Sequence, residues 1–261
     1  MQFNFLRQNQ SYSFDSNQAL DISIPLVAGL ENVNCFYAPP VEFSPVESPE
    51  FGFIGAVARG GAVNFFNVRL NPHGNGTHTE CVGHITPEQD SLQKSLQSFH
   101  FFAKLVSLYP QRQERGDRVI ERSQIEEVIR SGEAEALVLR TLPNDDLKLK
   151  AQYSGANPPY LHHEAVAYLA DCGVEHLLLD LPSVDREEDE GQLLAHKAFW
   201  RYPELPGAAK KTRQQATITE LIYVPPSVPD GYYLLNLQIT SLDLDASPSK
   251  PVLYALQIEK I

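Results

Sequence analysis

ALVLRT at 136–141 and LHHEAVAYLADCGVEHLLLDL at 161–181 decide the fold class. The first is an apolar run of strand length. In the second, apolar residues recur at helical spacing from Leu161 to Ala170, and Gly173 stops the helix. The mostly apolar run from His176 to Leu181 then suits a strand covered on both faces. Working outward, Phe101–Tyr109 reads as a strand ending at Pro110. Ser123 and Glu126 form a capping box, and Gly132 supplies the stop, so a helix is expected between them. Downstream, a short helix is expected over Gln192–Trp200, then strands over Thr217–Val224, Tyr232–Ile239 and Val252–Glu259. Near the start, LDISIPL (Leu20–Leu26) alternates as a strand does, and Val63–Leu70 is a further strand. The Pro- and Ser-rich stretch from Asn34 to Glu50 reads as a long loop, either a lid or interface arm or a plain surface excursion. Helix and strand alternate in the middle while the ends add strands, so the expectation is an α/β domain with a mixed sheet, undivided over 1–261.

Composition narrows the function. The chain of 261 residues is 43% hydrophobic and 21% charged, enough for a real core. A formal net charge of −12 argues against nucleic acid and against an anionic membrane as partner. Cys35, Cys81 and Cys172 are odd in number and widely spaced, which suggests neither a disulfide framework nor a thiolate zinc site. A reducing, cytoplasmic setting fits, with no signal-peptide pattern and no long apolar run.

Chemistry concentrates in NPHGNGTHTECVGHI, Asn71 to Ile85. It holds His73, His78, Glu80 and His84, three of the eight histidines and one carboxylate. His78 and Glu80 are two apart and point to one side of an extended chain. Gly74 and Gly76 permit tight turns that bring His73 towards them. Imidazole and carboxylate together suit zinc, manganese or iron. A metal lowers the pKa of its water to about 7, and an imidazole with an ordinary pKa of about 6.5 moves protons in that range. His84, four residues beyond Glu80, is the candidate for that proton.

The same segment resembles the cyclase family of metal-dependent hydrolases, which includes bacterial kynurenine formamidase and isatin hydrolase. The family signature HxGTHxDxPxH matches at Gly76-Thr77-His78-Thr79-Glu80 and again at His84. LLLDLPSVD (Leu177–Asp185), LLAHKAFW around His196 and ITELIYV around Glu220 are similar to later family segments. The resemblance implies a compact α/β domain around a mixed, barrel-like sheet flanked by helices. It implies His78 as a ligand of a first metal and Glu80 in place of a bridging aspartate. It also implies His84 as proton donor and acceptor, His196 on a second metal and Glu220 shared by both. The metal would be a divalent cation, zinc first and manganese as the alternative, and the protein a homodimer or homotetramer. The chain departs from the signature in three places. Gly74 stands where the family has its first histidine, with His73 one residue further away, and a bulged turn is expected to let His73 bind. Glu80 replaces aspartate, and Val82 replaces proline.

The leading expectation is hydrolysis of an amide-like C–N bond, a formamide or cyclic amide in a small molecule, by a metal-bound hydroxide. A lyase or ring-closing dehydratase at the same site, and a binding protein that has lost its metal, are the alternatives. The remaining candidates read as structural: His162 and His163 as solvated or capping residues, His176 as part of a buried strand, His100 as packed or partly exposed. Glu187–Glu190 reads as a solvated loop, Ser183 as a turn or site-shaping residue, Asp245–Pro248 as a turn, and Cys81 as buried behind Glu80.

Overall fold

In the computed structural model, which describes residues 1–204 and 210–259, four parallel strands form the centre. They are His100–Leu108, Ala136–Thr141, His176–Leu179 and Thr217–Glu220. Their long apolar runs reflect cover on both faces. Antiparallel strands close this sheet into a ring. In chain order the strands used below are β1 (Leu20–Asp21), β2 (His78–Glu80), β3 (His100–Leu108), β4 (Ala136–Thr141), β5 (His176–Leu179), β6 (Thr217–Glu220), β7 (Gly231–Ile239) and β8 (Ala246–Ala255). The order is β7-β3-β4-β5-β6-β2-β8, and β8 pairs again with β7, so seven strands make a closed mixed barrel. β1 adds to β8 beyond β2. The α/β class and barrel-like mixed sheet expected from the sequence are those of the structure.

Alternation along each strand builds two cores. Leu105, Ala136, Val138, Leu178, Leu235, Leu237 and Leu253 pack together as the barrel interior. The intervening Leu137, Leu139, Leu177, Leu179 and Ile218 pack against helices α2 (Arg122–Val128), α3 (His163–Asp171) and α4 (Leu194–Trp200). Replacing a wholly buried member such as Leu137 by alanine costs about 2–5 kcal/mol.

Several local expectations are corrected. The capping box of α2 uses Glu121 and Gln124, two residues ahead of Ser123 and Glu126. The backbone leaves β geometry early after Glu220, where Leu221 takes φ 54°, so that strand does not reach Val224. LDISIPL keeps only Leu20–Asp21 as strand. The loop from Asn34 to Glu50 contains short strands at Glu42–Pro45 and Glu47–Ser48. Val63–Leu70 reduces to Phe66–Arg69, which pairs with Glu42–Pro45 as an exposed ribbon outside the barrel. The last long strand starts at Ala246, so the segment read as a turn at Asp245–Pro248 is the entry to β8. Among the described residues no helix is long and apolar enough to cross a membrane.

Candidate functional site

His78 and Glu80, with Thr79 between them, form β2, and all three are buried. Antiparallel pairing sets Glu220 of β6 opposite His78 and Ile218 opposite Glu80. Ile218 belongs to the core under the helices, so His78, Glu80 and Glu220 point out of the barrel towards α4. That helix buries Ala195, His196, Phe199 and Trp200. Trp200 anchors it by donating its indole N–H to the Ala216 carbonyl at 2.8 Å. The spacing of 195/199 and 196/200 is one face of a helix, so the packing of Phe199 and Trp200 delivers His196 to the strands.

Seven side chains converge there. His78 Nε2 lies 3.5 Å from Glu220 Oε2. His196 Nε2 lies 3.0 Å from Glu80 Oε1 and 3.9 Å from Glu220 Oε1. His73 Nδ1 is 3.2 Å from Glu80 Oε2, and its Nε2 is 2.9 Å from Asp245 Oδ2. His84 Nε2 is 3.9 Å from Glu80 Oε2, and its Nδ1 is 3.3 Å from Asp245 Oδ2. The floor of the site, His78, Glu80, His196 and Glu220, is sealed, with side chains at most 3% exposed. His73, Asp245 and His84 form a rim at 25%, 28% and 30% exposure, where a substrate has access.

Supporting hydrogen bonds orient the floor. His78 donates Nδ1–H to the Gly76 carbonyl at 2.9 Å, which leaves Nε2 bare towards the site. His196 donates Nδ1–H to Asp185 at 2.6 Å. Asp185 also accepts from the backbone N–H groups of Ala195 and His196, at 2.7 and 3.1 Å, and so fixes the start of α4. Glu220 Oε1 accepts from the Val184 N–H at 2.9 Å. A histidine held by a carboxylate or carbonyl on its far nitrogen is the common support of a metal ligand.

The residues fit a cation. His78 Nε2 and Glu80 Oε2 are buried with no hydrogen-bond partner, an expensive condition for polar atoms. Three sets of donor atoms each gather within 4.8 Å: His73, His78 and Glu80; His73, His84 and Asp245; Glu80, His84 and His196. Nitrogen and carboxylate donors of this kind suit zinc or manganese. Burial opposes the charge on Glu80, yet the imidazoles of His84 and His196 hold its carboxyl well below the usual range. Burial likewise opposes the charge on His196, but Glu80 and Asp185 push its imidazole well up. Against its own burial, His73 is pushed up to about 10 by Asp245 and Glu80. The carboxylates thus draw protons onto the imidazoles, and a bound metal ion would displace them.

All six residues singled out in the sequence, His73, His78, Glu80, His84, His196 and Glu220, are brought into one cluster. The reason given for the glycines is corrected. Neither Gly74 nor Gly76 takes the left-handed conformation, and Gly76 at φ 167° is extended. They are small because neighbours press on them: a Cβ on Gly74 would lie 2.3 Å from that of Ala38, and one on Gly76 would lie 2.7 Å from Leu26 Cδ2. His73 reaches the site from a single helical turn, Pro72–Asn75, capped by the Asn71 side chain. Sequence reasoning missed Asp185 and Asp245. Each stood inside a segment already noticed, but a lone aspartate beside a turn carries no signal of its partner. Cys81 is fully buried, with its thiol donating to the Asp90 carbonyl at 3.1 Å. His162 caps α3 through the Glu164 N–H.

The Cyclase family model, described as "Putative cyclase", matches residues 20–186. A search of curated proteins returns no match. Among solved structures, one called a potential metal-dependent hydrolase with cyclase activity superposes with TM-score 0.63 at 16% identity, covering 91% of this chain and 97% of the other. Isatin hydrolase A from Labrenzia aggregata, bound to benzyl benzoate, gives TM-score 0.61 at 11% identity, with 91% and 93% covered. Isatin hydrolase A from Ralstonia solanacearum gives TM-score 0.61 at 13% identity, with 92% and 91% covered. At these identities the likeness is one of fold.

Proposed function

The chain belongs to the Cyclase family, and on that premise we propose that it is a metal-dependent hydrolase of an amide-like C–N bond, in a formamide or a cyclic amide. The observation that carries this reading is the pair of buried, unpartnered atoms His78 Nε2 and Glu80 Oε2 at the centre of the imidazole and carboxylate cluster. The names of the structural neighbours, isatin hydrolase among them, support hydrolysis as the class of reaction.

His73, His78, Glu80, His196 and Glu220 would hold the metal, zinc first and manganese second. A bound ion of this kind supplies water activation at neutral pH and polarisation of a carbonyl. The chain does the rest. Glu220 is locked by the Val184 N–H and His196 by Asp185, so the floor presents fixed donors. His84 stands on the accessible rim with Nε2 towards Glu80 and Nδ1 on Asp245. From there it takes a proton at Nε2 and returns it to the departing nitrogen.

The test is turnover of a formanilide and of an isatin-type cyclic amide by zinc- and manganese-loaded protein, with the products identified. His84→Ala should keep its metal and lose about 10²–10⁴-fold in turnover. Full activity in that variant removes His84 from the reaction, and ring closure or elimination products would replace hydrolysis by lyase chemistry.

We also propose that the protein is a homodimer or homotetramer. Support comes from the ribbon that leads into the site, which leaves Phe43, Phe66 and Val68 exposed. Exposed apolar side chains grouped on one ribbon suit an interaction surface. A monomeric mass by light scattering at micromolar concentration would reject it.

A further inference from the structure

Position 74 cannot carry a ligand in this chain. The Cys35–Ala38 turn sits on it: Cys35 N–H donates to the Gly74 carbonyl at 2.9 Å, and any Cβ at 74 would meet that of Ala38 at 2.3 Å. The imidazole comes instead from His73, one residue earlier, on the Pro72–Asn75 turn. A ligand that arrives from a displaced position needs its own support. The structure provides one in Asp245, whose side chain is 28% exposed and whose only residue-level expectation from sequence was a turn.

We infer that Asp245 is the positioning residue of this site, with one carboxylate oxygen holding both the displaced His73 and the proton-carrying His84. Asp245 Oδ2 lies 2.9 Å from His73 Nε2 and 3.3 Å from His84 Nδ1. The two rings lie 4.3 Å apart and are inclined by 32°. A carboxylate only accepts, so each imidazole carries its proton on the nitrogen that faces Asp245. His73 is thereby left to give up its Nδ1 proton when a metal binds, and that nitrogen faces Glu80, at 3.2 Å from Oε2. His84 is left with a bare Nε2, also on the Glu80 side, free to accept a proton. Asp245 is itself fixed to the strand that carries Glu80. Its carbonyl accepts from the Cys81 N–H at 3.0 Å, and the next residue, Ala246, pairs with Glu80. One side chain just before β8 therefore sets the tautomer and direction of two imidazoles from the 71–85 segment.

This inference rests on the metal-centre reading for its consequence, and on hydrogen-bond geometry for its content, so two measurements separate them. Long-range ¹H–¹⁵N spectra of the histidine rings report tautomers in the zinc-loaded protein at neutral pH, and in the metal-free protein above the pH of about 10 at which His73 gives up its second proton. The wild type should show His73 protonated at Nε2 and His84 at Nδ1, and Asp245→Ala should lose that assignment at both. Zinc affinity, measured by chelator competition, should fall about 10–100-fold in Asp245→Ala. Asp245→Asn, which keeps an acceptor oxygen without the charge, should lie between the two. In a His73→Ala background, Asp245→Ala should cause no further loss, because its effect on zinc passes through His73. Unchanged tautomers in Asp245→Ala, or an equal loss of affinity with and without His73, overturns the assignment. A wild type that takes up no zinc defeats the metal reading alone, and the ring spectra still decide the role of Asp245.

Discussion

β2 and β6 are paired strands whose two faces are equally buried and differently finished. On the face inside the barrel, Thr79 and Thr219 meet hydroxyl to hydroxyl at 2.8 Å, and next to them His176 Nδ1 meets Thr217 Oγ1 at 2.8 Å. These polar groups answer one another. On the outer face, one residue to either side of Thr79, His78 Nε2 and Glu80 Oε2 make no hydrogen bond within the chain. Burial is the same on both sides, so burial alone does not mark a functional group. What separates the faces is satisfaction: a closed polar pair is part of the framework, and an open one awaits a ligand.

His78→Ala removes a donor from the open face and should lower bound zinc from stoichiometric to background after dialysis, by elemental analysis. The same variant should lose the stabilisation that zinc confers on the wild type, about 2.7 kcal/mol at a hundredfold excess over Kd. Retention of metal and of that thermal shift would place the ion elsewhere. Thr79→Val acts on the closed face and should keep its metal while losing about 1–3 kcal/mol of stability, because the Thr219 hydroxyl is left unpaired. Thr79→Val with Thr219→Val should recover part of that loss in denaturant melts. Failure to recover would mean that the hydroxyls are not each other's main partner.

His176 sharpens the contrast through pH. Burial, and secondarily Arg213, lowers its imidazole to about 3. The folded protein therefore stays neutral there while the unfolded chain takes a proton below about 6.5. Stability from this residue is level above that pH and falls as pH drops from about 6.5 towards 3. At pH 5.5 the loss is about 1 kcal/mol, read as the difference between wild type and His176→Gln in urea melts at pH 7.5 and 5.5. An equal acid loss in both proteins would remove His176 as its source.

Much of this was legible in the amino acids, for identifiable reasons. Ala136–Thr141 and His176–Leu179 were found because strands covered on both faces must be apolar throughout. His78 and Glu80 could be placed on one side because strand periodicity is local. His196 and Glu220 were noticed only by likeness to other chains, since nothing in their neighbourhood says what lies opposite. Asp185 and Asp245 escaped because their meaning is pairwise: each is an ordinary turn-side aspartate until it is set against an imidazole 11 or 172 positions away. The exposed ribbon was read as a strand because Val63–Leu70 has strand composition, and composition does not tell a barrel strand from an arm outside it.

By itself the sequence determined the α/β class, the chemistry of the 71–85 segment and its family resemblance, since all of these are set by residues near one another along the chain. Tertiary structure alone decided which face of β2 is closed by threonines and which is left open. It also decided why residue 74 must be glycine, and which two aspartates support the histidines. Those outcomes depend on register and on the packing of α4 and the Cys35–Ala38 turn, contacts between segments that the order of amino acids does not bring together until the barrel closes.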